Sequence, residues 1–235
     1  MSEQDARINY TGSYEAEDVL RWSINTFSPS IKIACSFQNL VVVHMALQID
    51  PDITIFAIDT GRLHEETYQC AEDLQRKLGV KIEWFFPKHE AVEPLEREKG
   101  LFSFKESVEN RQECCHIRKV EPLKRALSDL DAWITGVRRE QSTSRAGAGK
   151  IEVDHVHGGI VKINPIADWS WDRVQDYVRE YDLPYNHLFD RGFLSVGCAP
   201  CTRPARAGEE PRAGRWWWEQ AEHKECGLHN RNWNI

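Results

Sequence analysis

Apolar runs that suit β-strands alternate with amphipathic stretches that suit α-helices along much of this chain. Residues 14–27 carry Val19, Leu20 and Ile24 at helical spacing and predict a helix entered from Ser13. The pattern then predicts strands at 31–35, 53–58, 80–86 and 132–137 and helices at 41–47, 65–78 and 114–127. Strands separated by helices of this length form right-handed βαβ units, so we expect an α/β fold with a mainly parallel twisted sheet flanked by helices.

The pattern changes after the last of these strands. Residues 138–150 are polar, basic and contain glycine, which is typical of a mobile loop over a site. A strand at 160–163 and a helix at 171–181, N-capped by Ser170, are predicted next. From Arg203 onward the chain is rich in proline, glycine and arginine and then in aromatic residues. We therefore expect an α/β domain over residues 1–202 and a mobile C-terminal arm over residues 203–235.

Composition narrows the class of partner. The 235 residues suffice for one sizeable core, and the formal net charge of −7 disfavours general binding to nucleic acid. The start shows no secretory signal and no stretch is apolar enough to span a bilayer, so neither nucleic acid nor a membrane is expected as a partner. Seven cysteines in such a chain indicate thiols and metal ligands in the cytoplasm rather than a disulfide framework. A homo-oligomer is possible, and the sequence does not indicate the number of subunits.

Three segments with small or basic residues follow predicted strands. They are Cys35-Ser36-Phe37-Gln38, Asp59-Thr60-Gly61-Arg62 and Gly136-Val137-Arg138-Arg139. Small residues let the backbone approach a ligand, and arginine forks match phosphate or sulfate. Each segment alone reads equally well as an ordinary turn between a strand and a helix. Three such segments on one edge of a parallel sheet favour a nucleotide pocket.

Five of the cysteines stand in a pattern that indicates chemistry. Two pairs, the doublet Cys114-Cys115 and the CxxC pair Cys198 and Cys201, make four thiolates. An iron–sulfur cluster and a structural zinc both require four, and adjacent ligands fit zinc less well; two buried couples are the third alternative. Cys35 and Cys70 lie in apolar contexts and are predicted to be small buried hydrophobic residues.

The fifth of these cysteines, Cys226, lies in the segment Lys224-Glu225-Cys226-Gly227-Leu228-His229. Basic neighbours lower the pKa of a thiol and make it nucleophilic, so Cys226 is predicted to be reactive rather than a stray exposed thiol. Arg118 and Lys119 follow the doublet at a spacing that would hold their charge beside it on a helix, although a solvated helix face is the simpler explanation.

With these motifs the sequence resembles the adenylylsulfate/phosphoadenylylsulfate reductase family, in its cluster-bearing bacterial assimilatory branch. The resemblance runs from about Ile31 to His229. It depends on the sequences DTGRL at 59–63, CCHIRKVEPL at 114–123, TGVRREQS at 135–142, GCAPCT at 197–202 and KECGLH at 224–229.

The resemblance implies an adenine nucleotide α-hydrolase-like fold with a [4Fe-4S] cluster on Cys114, Cys115, Cys198 and Cys201. It implies that the nucleotide lies on the strand edge and is bound by Ser36, Phe37, Ile58, Gly136 and Arg145. It implies further that the phosphosulfate faces Lys119, Arg212, Arg215 and His229. The implied reaction is thioredoxin-dependent reduction of adenosine 5′-phosphosulfate to sulfite and AMP through an S-sulfonated Cys226, in sulfate assimilation toward cysteine.

Other activities compete with this interpretation. Reduction of 3′-phosphoadenylylsulfate, or of both nucleotides, would use the same chemistry, and Arg62, Arg138 and Arg139 remain as partners for a 3′-phosphate. An ATP-pyrophosphatase-type enzyme would share the fold, but the first strand loop lacks the Ser-Gly-Gly pattern expected to hold pyrophosphate. A non-catalytic iron–sulfur redox sensor would explain the paired cysteines and leave Cys226 without a role.

Overall fold

A row of isoleucines crosses the centre of the β-sheet in the computed structural model, which describes residues 10–220. Ile33 is paired with Ile55 on one side and with Ile134 on the other, and Ile134 is paired in turn with Ile163. All four are almost completely buried. Because paired residues point to the same face of a sheet, this row fixes the register of the central strands.

The sheet has six strands in the order β3-β2-β1-β4-β6-β5. β1 is parallel to β2 and β4, β4 is parallel to β6, and β5 is antiparallel to β6. The strands are β1 Ile31–Ala34, β2 Ile55–Ile58, β3 Ile82–Phe85, β4 Ala132–Ile134, β5 Ile151–Asp154 and β6 Ile160–Ile163. The predicted mainly parallel α/β sheet is therefore confirmed.

Residues 10–220 contain seven α-helices. They are α1 Ala16–Phe27, α2 Val41–Leu47, α3 Glu65–Leu78, α4 His89–Lys99, α5 Val108–Cys115, α6 Glu121–Ala126 and α7 Trp171–Glu180. A π-helical turn, His116–Val120, joins α5 to α6. None of the helices in residues 10–220 is both long enough and apolar enough to cross a membrane.

Several predicted elements agree with the structure closely, and the differences have physical causes. α2 and α3 have the predicted bounds, and Ser170 caps α7 by accepting a hydrogen bond from the Arg173 amide. The N-cap of α1 is Glu15 rather than Ser13, whose hydroxyl instead accepts from the Glu15 amide. Helix 114–127 begins earlier, at residue 108, where Ser107 accepts from the Asn110 amide.

Two elements, α4 and β5, were not predicted. α4 contains Pro94, normally a helix breaker, and buries only Leu95 among its side chains. β5 lies at the edge of the sheet and carries two carboxylates in four residues, which is common for an edge strand and obscures its apolar pattern.

The described chain divides into two compact units. The first comprises residues 10–57, 66–83 and 129–186, and the second comprises residues 58–65, 84–128 and 187–220. The core of the second unit contains Leu95, Phe104 and Trp216 together with four buried cysteines. The predicted boundary of a mobile arm at residue 203 stays a prediction.

Candidate functional site

Four cysteine side chains converge in the second unit. Cys114 and Cys115 end α5, while Cys198 precedes a short 3₁₀ turn, Ala199–Cys201. All four thiols are buried, each residue being at most 8 % exposed. They line one common cavity. The structure thus brings together the two cysteine pairs that the sequence singled out.

Positive side chains line the same cavity. They are Arg62, Arg111, Arg118 and Lys119. Arg118 and Lys119 each lie four residues after a cysteine of the doublet, and the helical backbone holds them beside the thiols; the solvated helix face that was the simpler explanation is not what the structure shows. Negative groups such as thiolates are stabilised by this field.

Arg62 and Arg118 are held in place by one carboxylate. Both guanidinium groups form ion pairs with Glu96 of α4. Arg118 also donates from Nη1 to the Thr60 carbonyl oxygen over 2.8 Å. Gly61 lies beside this contact with φ +69°, a conformation that glycine adopts without strain. The Asp-Thr-Gly-Arg segment, predicted to form part of a nucleotide pocket, therefore forms a wall of the cysteine cavity.

The pKa values of the thiols differ within this cavity. Burial raises the pKa of Cys114 and, together with the neighbouring Cys198, raises that of Cys201 to about 12. Burial also opposes ionisation of Cys198. There, however, the charge of Lys119, a 3.3 Å contact with the Thr60 hydroxyl and the charge of Arg215 outweigh it, and the pKa of Cys198 is lowered.

Arg215 is packed deep inside the second unit, only 4 % exposed. Its Nη1 donates to the Val196 carbonyl oxygen over 3.1 Å, and its guanidinium lies 4.8 Å from the ring centroid of Trp216. A Cβ at Gly197 would lie 2.3 Å from Nη2 of Arg215, so only glycine leaves room for the guanidinium there. Arg212 also lies near Trp216, with its Cζ 5.9 Å from the ring centroid. The structure therefore associates Arg215 with the cysteine cavity.

The residues around the cavity fit an anionic iron–sulfur cluster. Nη1 of Arg62 and Nε1 of Trp216 are buried donors with no acceptor anywhere in residues 10–220. Cluster sulfurs accept hydrogen bonds, and such contacts help to set the cluster potential. No three His, Cys, Asp or Glu side chains among these residues converge to hold a single metal ion. The four thiols nevertheless line one cavity together with positive side chains, which is a donor set suited to an anionic multi-atom cluster.

The first unit contains four of the residues implied to bind the nucleotide. Ser36 is exposed, and Phe37 is buried with φ +56°. A Cβ at Gly136 would lie 3.2 Å from Nδ2 of Asn39, so the loops that follow β1 and β4 approach closely at this point. Arg145 lies in a turn further along the second of these loops and donates to Gln141. In the second unit, Ile58 ends β2 and is half-buried.

Two of the predicted residues, Cys226 and His229, lie outside the described residues. The structure adds others that the sequence reasoning did not single out as contributors to the cysteine site: Thr60, Arg62, Glu96, Arg111, Trp216 and Glu219. The three consecutive tryptophans at 216–218 were a visible signal for Trp216. Glu96 and Glu219 gave no signal, because carboxylates distant in sequence show no pattern.

Comparison with known proteins covers most of the chain. The family profile of the phosphoadenosine phosphosulfate reductase domain matches residues 29–204. Adenosine 5′-phosphosulfate reductase of Burkholderia cepacia is 47 % identical over 217 residues, covering 92 % of this chain and 86 % of that protein. The enzyme of the same name from Allochromatium vinosum is 50 % identical over 179 residues, covering 76 % and 70 %.

Solved structures agree on the fold. Phosphoadenylyl-sulfate (PAPS) reductase from Candida auris, in a phosphate complex, matches with a TM-score of 0.67 and 27 % identity, covering 84 % of this chain and 92 % of that one. Candida glabrata FMN adenylyltransferase in complex with ATP matches with a TM-score of 0.54. It covers 94 % of this chain and 80 % of that one, at 11 % identity. The second likeness concerns the fold alone.

Proposed function

Because the chain belongs to the phosphoadenosine phosphosulfate reductase family, we propose that it reduces adenosine 5′-phosphosulfate to sulfite and AMP. The observation that carries the proposal is the convergence of four buried cysteines in one cavity lined by positive side chains. The Lys-Glu-Cys-Gly-Leu-His motif around Cys226 supplies the nucleophile that such a site needs.

In the proposed first step, the Cys226 thiolate attacks the sulfur atom of the sulfate group. A sulfur–sulfur bond forms, the bond from that sulfur to the bridging oxygen breaks, and AMP leaves with the bonding electron pair. Lys119, Arg212, Arg215 and His229 stabilise the negative charge that develops on the leaving phosphate. The product is S-sulfonated Cys226.

In the proposed second step, a dithiol protein of the thioredoxin type attacks the Cys226 sulfur. Sulfite leaves with the electron pair of the sulfur–sulfur bond, and the second thiol of the donor then displaces Cys226 as a thiolate. The donor is oxidised to a disulfide and supplies the two electrons of the reduction. Ser36, Phe37, Ile58, Gly136 and Arg145 hold the nucleotide during the first step.

We propose that Cys114, Cys115, Cys198 and Cys201 hold a [4Fe-4S] cluster. When bound, the cluster would tune the electrostatics next to the phosphosulfate. None of the six cysteines in residues 10–220 forms a disulfide. We propose a reducing compartment such as the cytoplasm, where thiols persist as metal ligands.

The preferred substrate is proposed to be the nucleotide without a 3′-phosphate. The relatives from Burkholderia cepacia and Allochromatium vinosum bear the name of adenosine 5′-phosphosulfate reductases. The arginines left over for a 3′-phosphate have other contacts: Arg62 pairs with Glu96, Arg138 pairs with Glu140, and Arg139 donates to the Ala148 carbonyl oxygen. Reduction of 3′-phosphoadenylylsulfate by the same steps is the second candidate, because the Candida auris structure bears that name.

A direct comparison of the two nucleotides tests the proposal. With anaerobically reconstituted protein and one thioredoxin at one ionic strength, kcat/KM should favour adenosine 5′-phosphosulfate by at least about tenfold, near 1.4 kcal/mol. Equal or reversed values would contradict the choice of substrate. Failure to release AMP from either nucleotide would contradict the reductase activity and favour the redox-sensor alternative.

A further inference from the structure

The loop after β4 contains three arginines, and two of them serve the loop itself. Arg138 is 5 % exposed and donates from Nη1 to Oε2 of Glu140 over 2.9 Å and to the Trp169 carbonyl oxygen over 3.2 Å. Arg139 donates from Nε to the Ala148 carbonyl oxygen over 2.8 Å. These two guanidinium groups therefore hold the loop in place: Arg139 bonds within the loop, and Arg138 bonds both within it and to Trp169.

The third arginine, Arg145, is joined to the part of the loop around Arg138 through the side chain of Gln141. Oε1 of Gln141 accepts a hydrogen bond from the Arg138 backbone amide over 3.1 Å and another from Nη1 of Arg145 over 2.6 Å. One amide oxygen therefore fixes both the base of the 3₁₀ turn Arg139–Gln141 and the guanidinium of the next turn, Thr143–Arg145.

The part of the loop around Arg138 and Glu140 is in turn anchored to α7. Oε2 of Glu140 accepts from the backbone amide of Trp171, the first residue of that helix, over 2.7 Å. Arg138 also lies against the Trp171 ring, with its Cζ 5.3 Å from the ring centroid. The residue that precedes Gln141 is thus attached to a helix terminus, which holds the backbone that carries Gln141 in place before any ligand binds.

Two further cations lie near Arg145. The pKa of Arg138 is lowered by burial, with Glu140 opposing the shift and Arg145 adding to it. The pKa of Lys162 on β6 is lowered by burial as well, and Arg145 again adds to the shift while Glu152 and Asp154 oppose it. Glu140 and Glu152 form ion pairs with Arg138 and Lys162, so the positive charge of these two neighbours is largely offset.

We propose that Gln141 is a positioning residue that holds the Arg145 guanidinium ready for an anionic group of the nucleotide. The inference is based on the proposed function, which assigns Arg145 to the nucleotide. Without the Gln141 oxygen, Arg145 keeps its charge and loses a hydrogen bond that holds its guanidinium. Binding would then include the cost of ordering a less constrained side chain.

Titration of the protein with AMP tests this inference. Gln141→Met removes the acceptor at nearly constant size and should weaken AMP binding about tenfold, as for loss of a hydrogen bond to a charged group. In turnover, KM should rise while kcat stays near the wild-type value. The matched control is Gln69→Met, the same replacement at an exposed glutamine on α3, which should bind AMP like the wild type. If Gln141→Met fails to fold, Gln141→Ala takes its place.

A double-mutant cycle separates positioning from a general structural effect. Arg145→Ala alone should weaken AMP binding by at least about tenfold, and Arg145→Ala with Gln141→Met should be no weaker than Arg145→Ala, because in this proposal the effect of Gln141 on AMP binding passes through Arg145 and its bond to the Arg138 amide only holds the turn. Additive losses would overturn the inference, and so would wild-type affinity in Gln141→Met with a loss in Arg145→Ala. Wild-type affinity in Arg145→Ala would instead remove Arg145 from the proposed nucleotide site, and the inference with it.

Discussion

Arg111 and Glu219 form a two-pronged salt bridge that is almost completely shielded from water. Nε and Nη2 of Arg111 donate to the two carboxylate oxygens over 3.0 and 2.9 Å, and the side chains are 1 % and 4 % exposed. The Arg111 guanidinium also lies 4.9 Å from the ring centroid of Trp216. The pair joins α5, which ends in the cysteine doublet, to the chain seven residues before Cys226.

Removal of one partner of this pair should destabilise the protein strongly. Glu219→Ala leaves the Arg111 charge buried without its carboxylate, and we expect the free energy of unfolding to fall by about 3–5 kcal/mol. Chemical denaturation under anaerobic conditions measures the change.

Glu209→Ala is the matched control, because Glu209 forms a similar two-pronged pair with Arg203 that is partly open to solvent. Its loss should be much smaller, since exposed ion pairs contribute little. Equal losses in the two variants would show that burial of the Arg111–Glu219 pair is not what makes it important.

Stability should also fall at alkaline pH because of two buried thiols that do not line the cavity. Burial raises the pKa of Cys35 and of Cys70 to about 12, above the ordinary value of 9.0. The neutral thiols favour the folded state below pH 9, and this contribution is lost as the pH rises toward 12. Each thiol should lower the free energy of unfolding by about 1.4 kcal/mol per pH unit in this window.

Urea denaturation at several pH values between 8 and about 10.5 measures this slope. In the double variant Cys35→Ala/Cys70→Ala the slope should become shallower, because the two titrating groups are absent. An unchanged slope would assign the alkaline instability to other groups.

The metal content follows from the cysteine arrangement. Protein purified without oxygen should be brown and contain about four iron and about four sulfide per chain. Cys201→Ser should reduce both contents, whereas Cys70→Ser should retain them, since Cys70 lies buried on α3 and does not line the cysteine cavity. Stoichiometric zinc without acid-labile sulfide would contradict the cluster.

The sequence predicted the sheet well because its central strands are short and mostly apolar runs. β1 buries its two isoleucines, β4 is buried throughout, and helices lie between β1 and β2 and between β3 and β4. Cys35 and Cys70 are buried as predicted. α4 was not predicted because it contains Pro94, which has a low helix propensity. The helix is stabilised by tertiary contacts of Leu95, which local propensity does not reveal.

The part of the site that depends on the spacing of cysteines along the sequence could be predicted. The doublet and the CxxC pair predicted a common thiol site, and the structure brings the four side chains to one cavity. The residues that support them were not visible in the sequence. Glu96 pairs with Arg62 and Arg118 from another helix, and Thr60 contacts Cys198 across 138 positions of sequence. These contacts depend on the tertiary fold, which brings together residues distant in sequence, and no local sequence pattern indicates them.

The most direct test of the account is the chemical fate of Cys226. Protein with its cluster is incubated with adenosine 5′-phosphosulfate and no reductant, then digested and analysed by mass spectrometry. We predict one sulfonate per chain on Cys226, released as sulfite on addition of thioredoxin. Cys226→Ser should carry no sulfonate, because a serine hydroxyl is scarcely ionised at neutral pH. This variant should still retain its iron, because Cys226 is not one of the proposed cluster ligands. A sulfonate on another cysteine, or release of AMP and sulfite by Cys226→Ser, would contradict the account.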